Sequence, residues 1–294
     1  MKSQFKTIQI LLCLISLNFI ACHSEDVIPL NELPHNADLV QHGEYLTKTL
    51  AACGYCHGQN SSPNSILEGG RAQYDSYGKV YAANLTPSKS GIGEWSSQEV
   101  VTAIRTSTGK ERNQLSVELH QGFTWMSDND VLAIVAYLNT LPPILNDVER
   151  REVGFVKRNT IGLFEDRKTI SGFIPAISKQ HKVEYGRYLV EHVARCTSCH
   201  NSDGGLVSDE KYLYGGRIIK NEKGEKIAPN ISSSKLYGIG EWSEDQIVYF
   251  LRTGETPGAR FIDLDFCPVR FYANAKDEDL YAIAAYLRTV PNAS

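Results

Sequence analysis

Two short runs carry the plainest chemistry in this 294-residue chain: Cys53-Gly54-Tyr55-Cys56-His57 and Cys196-Thr197-Ser198-Cys199-His200. A CxxCH run holds two thiols and an imidazole close enough to serve one porphyrin. The thiols add to haem vinyl groups, and the histidine ligates iron from the proximal side. A redox CxxC pair does not need the histidine and sits near a βαβ pattern, which is absent from the sequence. Zinc needs four ligands per site, and the two runs lie far apart. The expectation is two haem c groups, attached through Cys53, Cys56, Cys196 and Cys199, with His57 and His200 on iron.

The sixth iron ligand is harder to place. Methionine is the usual partner in electron-carrying cytochromes, yet the chain has only Met1 and Met126. Met1 lies in the expected export signal and would be lost with it, so one haem at least must lack methionine. In the second half, Cys267 stands 15 residues after Arg252, and the same count from the matching Arg105 lands on His120. Counted back from the last helix, Met126 pairs with Ala275 and Cys267 with Glu118, because the first loop is two residues shorter. Cys267 is expected as the distal ligand of the second haem, its alternative being a buried inert thiol. A thiolate there would lower the potential. For the first haem, His120, Met126 and an open or water-bound site all stand. Arg71 and Arg217 are candidates for pairing with haem propionates, or are surface arginines. Trp95 and Trp242 are expected to pack rather than transfer electrons.

The elements that position these residues come twice. GEYL (43–46), CGYCH, GGR (69–71), NLT (84–86), GIGEWS (91–96), IRT (104–106) and AYLNTLP (136–142) recur as GRYL, CTSCH, GGR, NIS, GIGEWS, LRT and AYLRTVP, the offset growing only from 143 to 149. Within each unit the apolar spacing is helical. Ser96 and Glu99 form a capping-box pattern before a helix towards Arg105, and Ser127 and Asp130 open another that ends before Pro142. Residues 45–52 and 185–195 also read as helices, which gives three per unit, joined by long loops. A unit of fewer than about 110 residues with such loops has a thin core and needs an internal staple. Residues 143–182, charged and with Pro143 and Pro175, read as a linker packed over the surface.

The chain carries 30 basic and 34 acidic residues, a formal charge of −4, and the −6 left after residues 1–21 gives no basic stripe for nucleic acid. Residues 1–21 have a lysine-bearing start and an apolar run too short to span a membrane, so they read as an export signal. Phe19-Ile20-Ala21-Cys22 resembles a lipobox, in which Cys22 becomes a lipidated N-terminus; the alternative is ordinary cleavage leaving a free thiol. The expected divisions are signal 1–21, tether 22–39, first domain 40–142, linker 143–182 and second domain 183–294.

Taken together, CxxCH, GGR, N-[LI]-[ST], GIGxWS, an R-T pair and a closing DxDxxAIxAYLxTxP helix resemble the repeated domains of the multihaem cytochrome c subunits of membrane-bound bacterial alcohol, aldehyde and gluconate dehydrogenases. The resemblance spans residues 40–142 and 183–291. It implies an all-α fold, two tandem cytochrome c domains each wrapped around one covalently bound haem c. The family's distal methionine usually lies in a Met-Pro pair before the last helix. Here Cys267-Pro268 takes that place in the second unit and nothing equivalent stands in the first; those subunits also tend to carry three haems. The implied role is electron transfer on the periplasmic side, from a dehydrogenase to a downstream cytochrome or oxidase, by an exported protein held at the membrane through Cys22. The enzymatic alternative is a thiosulfate dehydrogenase-like or peroxidase-like diheme cytochrome with catalysis at the thiolate-ligated or open haem.

Overall fold

A computed structural model describes residues 36–110, 115–151, 170, 172–202 and 211–291. The expected signal, Cys22 and most of the tether lie outside the described residues, as does much of the expected linker.

The first half runs α1 (Ala37–Lys48), α2 (Cys53–His57), a hairpin of β1 (Ala72–Asp75) and β2 (Gly78–Tyr81), α3 (Ser97–Thr106), α4 (Val117–His120) and α5 (Asp128–Leu138). The second repeats this order: α6 (Lys182–Tyr188), α7 (Thr197–His200), a hairpin of β3 (Ile218–Asn221) and β4 (Gly224–Ile227), α8 (Glu244–Thr253), α9 (Val269–Tyr272) and α10 (Asp277–Leu287). The chain is helix-rich, but not all-α as expected: among the described residues it also has two antiparallel strand pairs, Ala72 opposite Tyr81 and Ile218 opposite Ile227.

Local chemistry accounts for the helix starts. Ser96 and Glu99 close a full capping box at α3, Ser243 and Gln246 do the same at α8, and the Ser127 side chain accepts from the Asp130 N–H at α5. The helices ahead of CxxCH end earlier than the sequence pattern suggests. α1 stops at Lys48 and α6 at Tyr188, the latter continuing as a π turn over Leu189–Val193. In both halves a wide turn intervenes, in which Ala51 N–H donates to Leu46 O at 3.0 Å and Ala194 N–H to Leu189 O at 2.7 Å. The next residue is left-handed in each case, Ala52 at φ 46° and Arg195 at φ 52°, and the cysteine run follows.

Each half is clamped where its first and last helices cross. A Cβ on Gly43 of α1 would lie 1.8 Å from Ala133 O of α5, and one on Gly186 of α6 would lie 1.9 Å from Ala282 O of α10. Only glycine permits that approach, which explains the glycine of GEYL and GRYL. The apolar core is continuous through both halves, from Leu46, Leu50, Val131, Ile134 and Val135 to Val190, Val193, Phe271, Leu280 and Ile283.

The seam between the halves has matched polar contacts. Tyr188 donates to Asp130 and accepts from Ser127 N–H at 3.0 Å; Tyr45 donates to Asp279 and accepts from Lys276 N–H at 3.0 Å. Within the halves the same carboxylates are bonded again, His42 Nε2 to Asp130 at 2.6 Å and, at its repeat position, Tyr185 to Asp279 at 2.9 Å. Repeat-related residues are therefore exchanged across the seam, the pattern of a self-complementary two-fold contact. The described start of the expected linker packs on the first half: Ile144 O accepts from Asn84 Nδ2 at 2.8 Å, and Arg151 forks onto Asp75 at 2.6 and 2.7 Å.

Candidate functional site

The two CxxCH runs form α2 and α7, and each is held by the GGR segment that follows. Gly69 N–H donates to His57 O at 2.9 Å and Gly215 N–H to His200 O at 2.6 Å, so the glycine backbone takes up the last carbonyl of each short helix. Gly69 and Gly215 sit at φ 74° and 71°, which glycine reaches without a Cβ penalty. Arg71 donates to Tyr55 O at 2.5 Å and Arg217 to Ser198 O at 2.7 Å, the same position of both runs. Both arginines thus lie against the attachment helices.

The histidine of each CxxCH run is oriented through one ring nitrogen. His57 Nδ1 bonds Ala83 O at 2.7 Å and His200 Nδ1 bonds Pro229 O at 2.8 Å, both just ahead of the conserved-spacing asparagines Asn84 and Asn230. With Nδ1 donating to a carbonyl, Nε2 carries the lone pair, the tautomer a metal ligand needs. Burial lowers the pKa of both histidines, which favours the neutral imidazole. The four attachment thiols are unpaired, and burial pushes Cys53 up to about 11 and Cys196 up to about 12. Among the described residues no cluster of three or more histidine, cysteine or acidic side chains is placed to hold a metal ion by itself.

The distal candidates separate clearly. The His120 ring lies 6.3 Å from the His57 ring, centre to centre, with the planes at 39°. His120 Nδ1 bonds Ser116 O at 3.0 Å, and burial followed by the nearby His57 lowers the ring to about 4. Met126 is fully buried in the core just before α5, and its carbonyl accepts from Arg105 Nη2 at 2.6 Å. Cys267 lies just ahead of α9; burial raises its thiol strongly, and Cys196 and Cys199 are the thiols that raise it further. Trp242 packs edge-on against Phe250 of α8, and both Trp95 and Trp242 rest on the core, as expected of packing residues.

Each distal loop is buttressed by the other half's attachment segment. Arg195, next to Cys196, donates to Leu119 O at 2.7 Å and lies 4.0 Å above the Phe123 ring, while His192 Nδ1 bonds Gly122 O at 3.0 Å. In return Tyr55, inside the first CxxCH, donates to Asp265 O at 2.6 Å and meets Phe271 edge-on at 6.4 Å. The hairpins complete the cradle: Ser76 N–H donates to Glu118 at 2.9 Å, and Asn221 Nδ2 to Asp265 O at 2.9 Å. Sequence reasoning missed Tyr55, His192 and Arg195. The one signal available was that Arg195 breaks the repeat, since Ala52 holds its place in the first half.

Paired attachment helices with oriented histidines, in a helix-rich chain, define a c-type cytochrome. The chain is 30% identical over 254 residues to the diheme cytochrome c-type protein of Cereibacter sphaeroides, covering 81% of this chain and 82% of that one. It is 30% identical over 270 residues to the fructose dehydrogenase cytochrome subunit of Gluconobacter japonicus, covering 86% of this chain. It is also 26% identical over 269 residues to the gluconate 2-dehydrogenase cytochrome c subunit of Pantoea cypripedii, covering 87% of this chain. The chain belongs to this family of c-type cytochromes, which joins a diheme protein with the cytochrome subunits of dehydrogenases. It spans 52% of the fructose dehydrogenase subunit and 60% of the gluconate dehydrogenase subunit. A comparison with protein-family models found no match.

Proposed function

We propose that this chain is an exported diheme electron carrier that takes electrons from a dehydrogenase and hands them to a downstream cytochrome or oxidase. Each half, residues 40–142 and 183–294, holds one haem c. Cys53 and Cys56 attach the first and Cys196 and Cys199 the second, with His57 and His200 as proximal ligands. Bound haem supplies one-electron chemistry at iron. The chain's residues orient the ligands, exclude water and set the local charge.

The observation that carries this reading is the pairing of His57 with His120. A metal held between two imidazoles at roughly 2 Å from each nitrogen puts the ring centres about 6 Å apart. The 6.3 Å separation fits that, with both Nδ1 atoms already engaged by backbone carbonyls. It favours His120 over the core-packed Met126 and over an open site. Cys267 serves the second haem, where its thiol lies by Cys196 and Cys199. Arg71 and Arg217, held against the attachment helices, would pair with the haem propionates. Two six-coordinate sites suit a carrier, and the relatives lend no support to thiosulfate or peroxide turnover. Cys22, lipidated after export, tethers the chain at the membrane; among the described residues no helix is long and apolar enough to cross one.

The test is electron paramagnetic resonance of the oxidised holoprotein beside Cys267→Ala and His120→Ala. Two low-spin signals are expected, one of thiolate type that vanishes in Cys267→Ala and one that turns high-spin in His120→Ala. A preparation without two covalent haems by pyridine haemochrome, or robust turnover of thiosulfate or peroxide, would sink the proposal.

A further inference from the structure

Arg195 is the residue whose placement the carrier reading leaves unused. It belongs to the second half, one residue before Cys196, yet its guanidinium reaches the first half's distal loop at Leu119 O, beside His120. Its plane covers Phe123 at 4.0 Å, and a Cβ on Gly122 would come 2.9 Å from its Cγ, so the side chain is confined. Its Nε–H is buried without a hydrogen-bond partner, leaving a donor for an anionic group at the seam. The backbone at residue 195 is left-handed, φ 52°. The charge stands between both sites: Arg195 directly precedes Cys196 in the second half and bonds the residue before His120 in the first. The first half has no counterpart, because Ala52 stands there.

We infer that Arg195 is a positioning and charge-setting residue shared by the two haem sites, holding the first half's distal loop in place while raising the potential of the haem beside it. Uptake of one electron turns ferric into ferrous iron and lowers the site's charge by one. A fixed cation within the partly buried seam therefore favours the reduced form. Because the cation comes from the opposite half, the first haem's redox behaviour depends on correct docking of the second.

This inference rests on the haem reading above, and the experiment separates the two. Holoprotein with Arg195→Gln is compared with wild type and Arg195→Lys by optical redox titration, after haem content is counted by pyridine haemochrome. Fewer than two haems in the wild type would remove the underlying reading itself. With two haems present, Arg195→Gln is expected to shift the reduction equilibrium of at least one wave about tenfold towards ferric, 59 mV for one electron. Arg195→Lys should restore most of it. Both waves staying within twofold of wild type would overturn the inference, as would an equal shift in Arg195→Lys. If the glutamine protein does not load haem, Arg195→Asn, suited to the left-handed backbone, is held to the same shift.

Discussion

The two halves share one frame and differ at the candidate distal positions and at the residue before each CxxCH run. Gly43 and Gly186, Ser96 and Ser243, Arg71 and Arg217, and His57 and His200 do the same work at repeat-related places. His120 and Cys267 do not correspond, nor do Ala52 and Arg195. Duplication has kept the residues that hold the CxxCH helices and varied those at 120, 267, 52 and 195.

The largest effect expected from breaking the shared frame comes from Gly43→Ala and Gly186→Ala. Each puts a methyl within 2 Å of a carbonyl oxygen, a clash that only separation of the crossing helices relieves. A loss of about 3 kcal/mol or more is expected for each in denaturant unfolding. Since the core runs unbroken through both halves, each variant should lower one common transition. Unfolding of one half, with the haem spectrum of the other retained, would show that the halves are energetically separate.

A smaller effect should come from the seam, where the repeat-related carboxylates are not equally placed. Asp279 is 1% exposed and receives Tyr45, Tyr185 and Lys179; Asp130 receives Tyr188 and His42. Hydrogen bonds to a buried charge are worth about 1.5–3 kcal/mol each when one partner is lost. Asp279→Asn should therefore cost about 2–3 kcal/mol and Asp130→Asn about 1–2 kcal/mol, read from urea unfolding. Equal losses would mean that Lys179 contributes nothing.

Much of this was legible in the residues. The repeat set the order of elements, and Ser96 with Glu99 and Ser127 with Asp130 marked helix starts that the structure reproduces. The hairpins were not legible, because four-residue strands such as AQYD and GKVY are too short for an alternation to stand out. Helix ends before CxxCH were overextended, since the wide turn at Leu46 and Leu189 depends on backbone bonds that apolar spacing does not report. The register of the first half's distal loop stayed open because two counts disagreed, and only the fold brings His120 near His57 while burying Met126 in the core. The crossing of distal loops between halves is purely tertiary: Arg195 and Leu119 lie 76 residues apart.

The smallest effect sharpens the seam comparison through pH. Burial by itself would raise the Asp130 carboxyl, but hydrogen bonds from His42, Tyr188 and Ser127 outweigh it and hold the group below the usual aspartate range. A carboxyl depressed in the folded state binds fewer protons there than in the unfolded chain. Its contribution is then complete above the unfolded value of about 4 and drains away as pH falls through the lower folded value. Urea unfolding from pH 6 to pH 3 should show wild-type stability falling with acid, and Asp130→Asn falling less steeply, by the share this carboxyl held. Tyr188→Phe removes one of the bonds that depress the group and keeps the others, so its slope should lie between the two. Identical slopes in all three proteins would mean that acid opens the chain elsewhere, with the Asp130 side of the seam contributing no proton-linked stability.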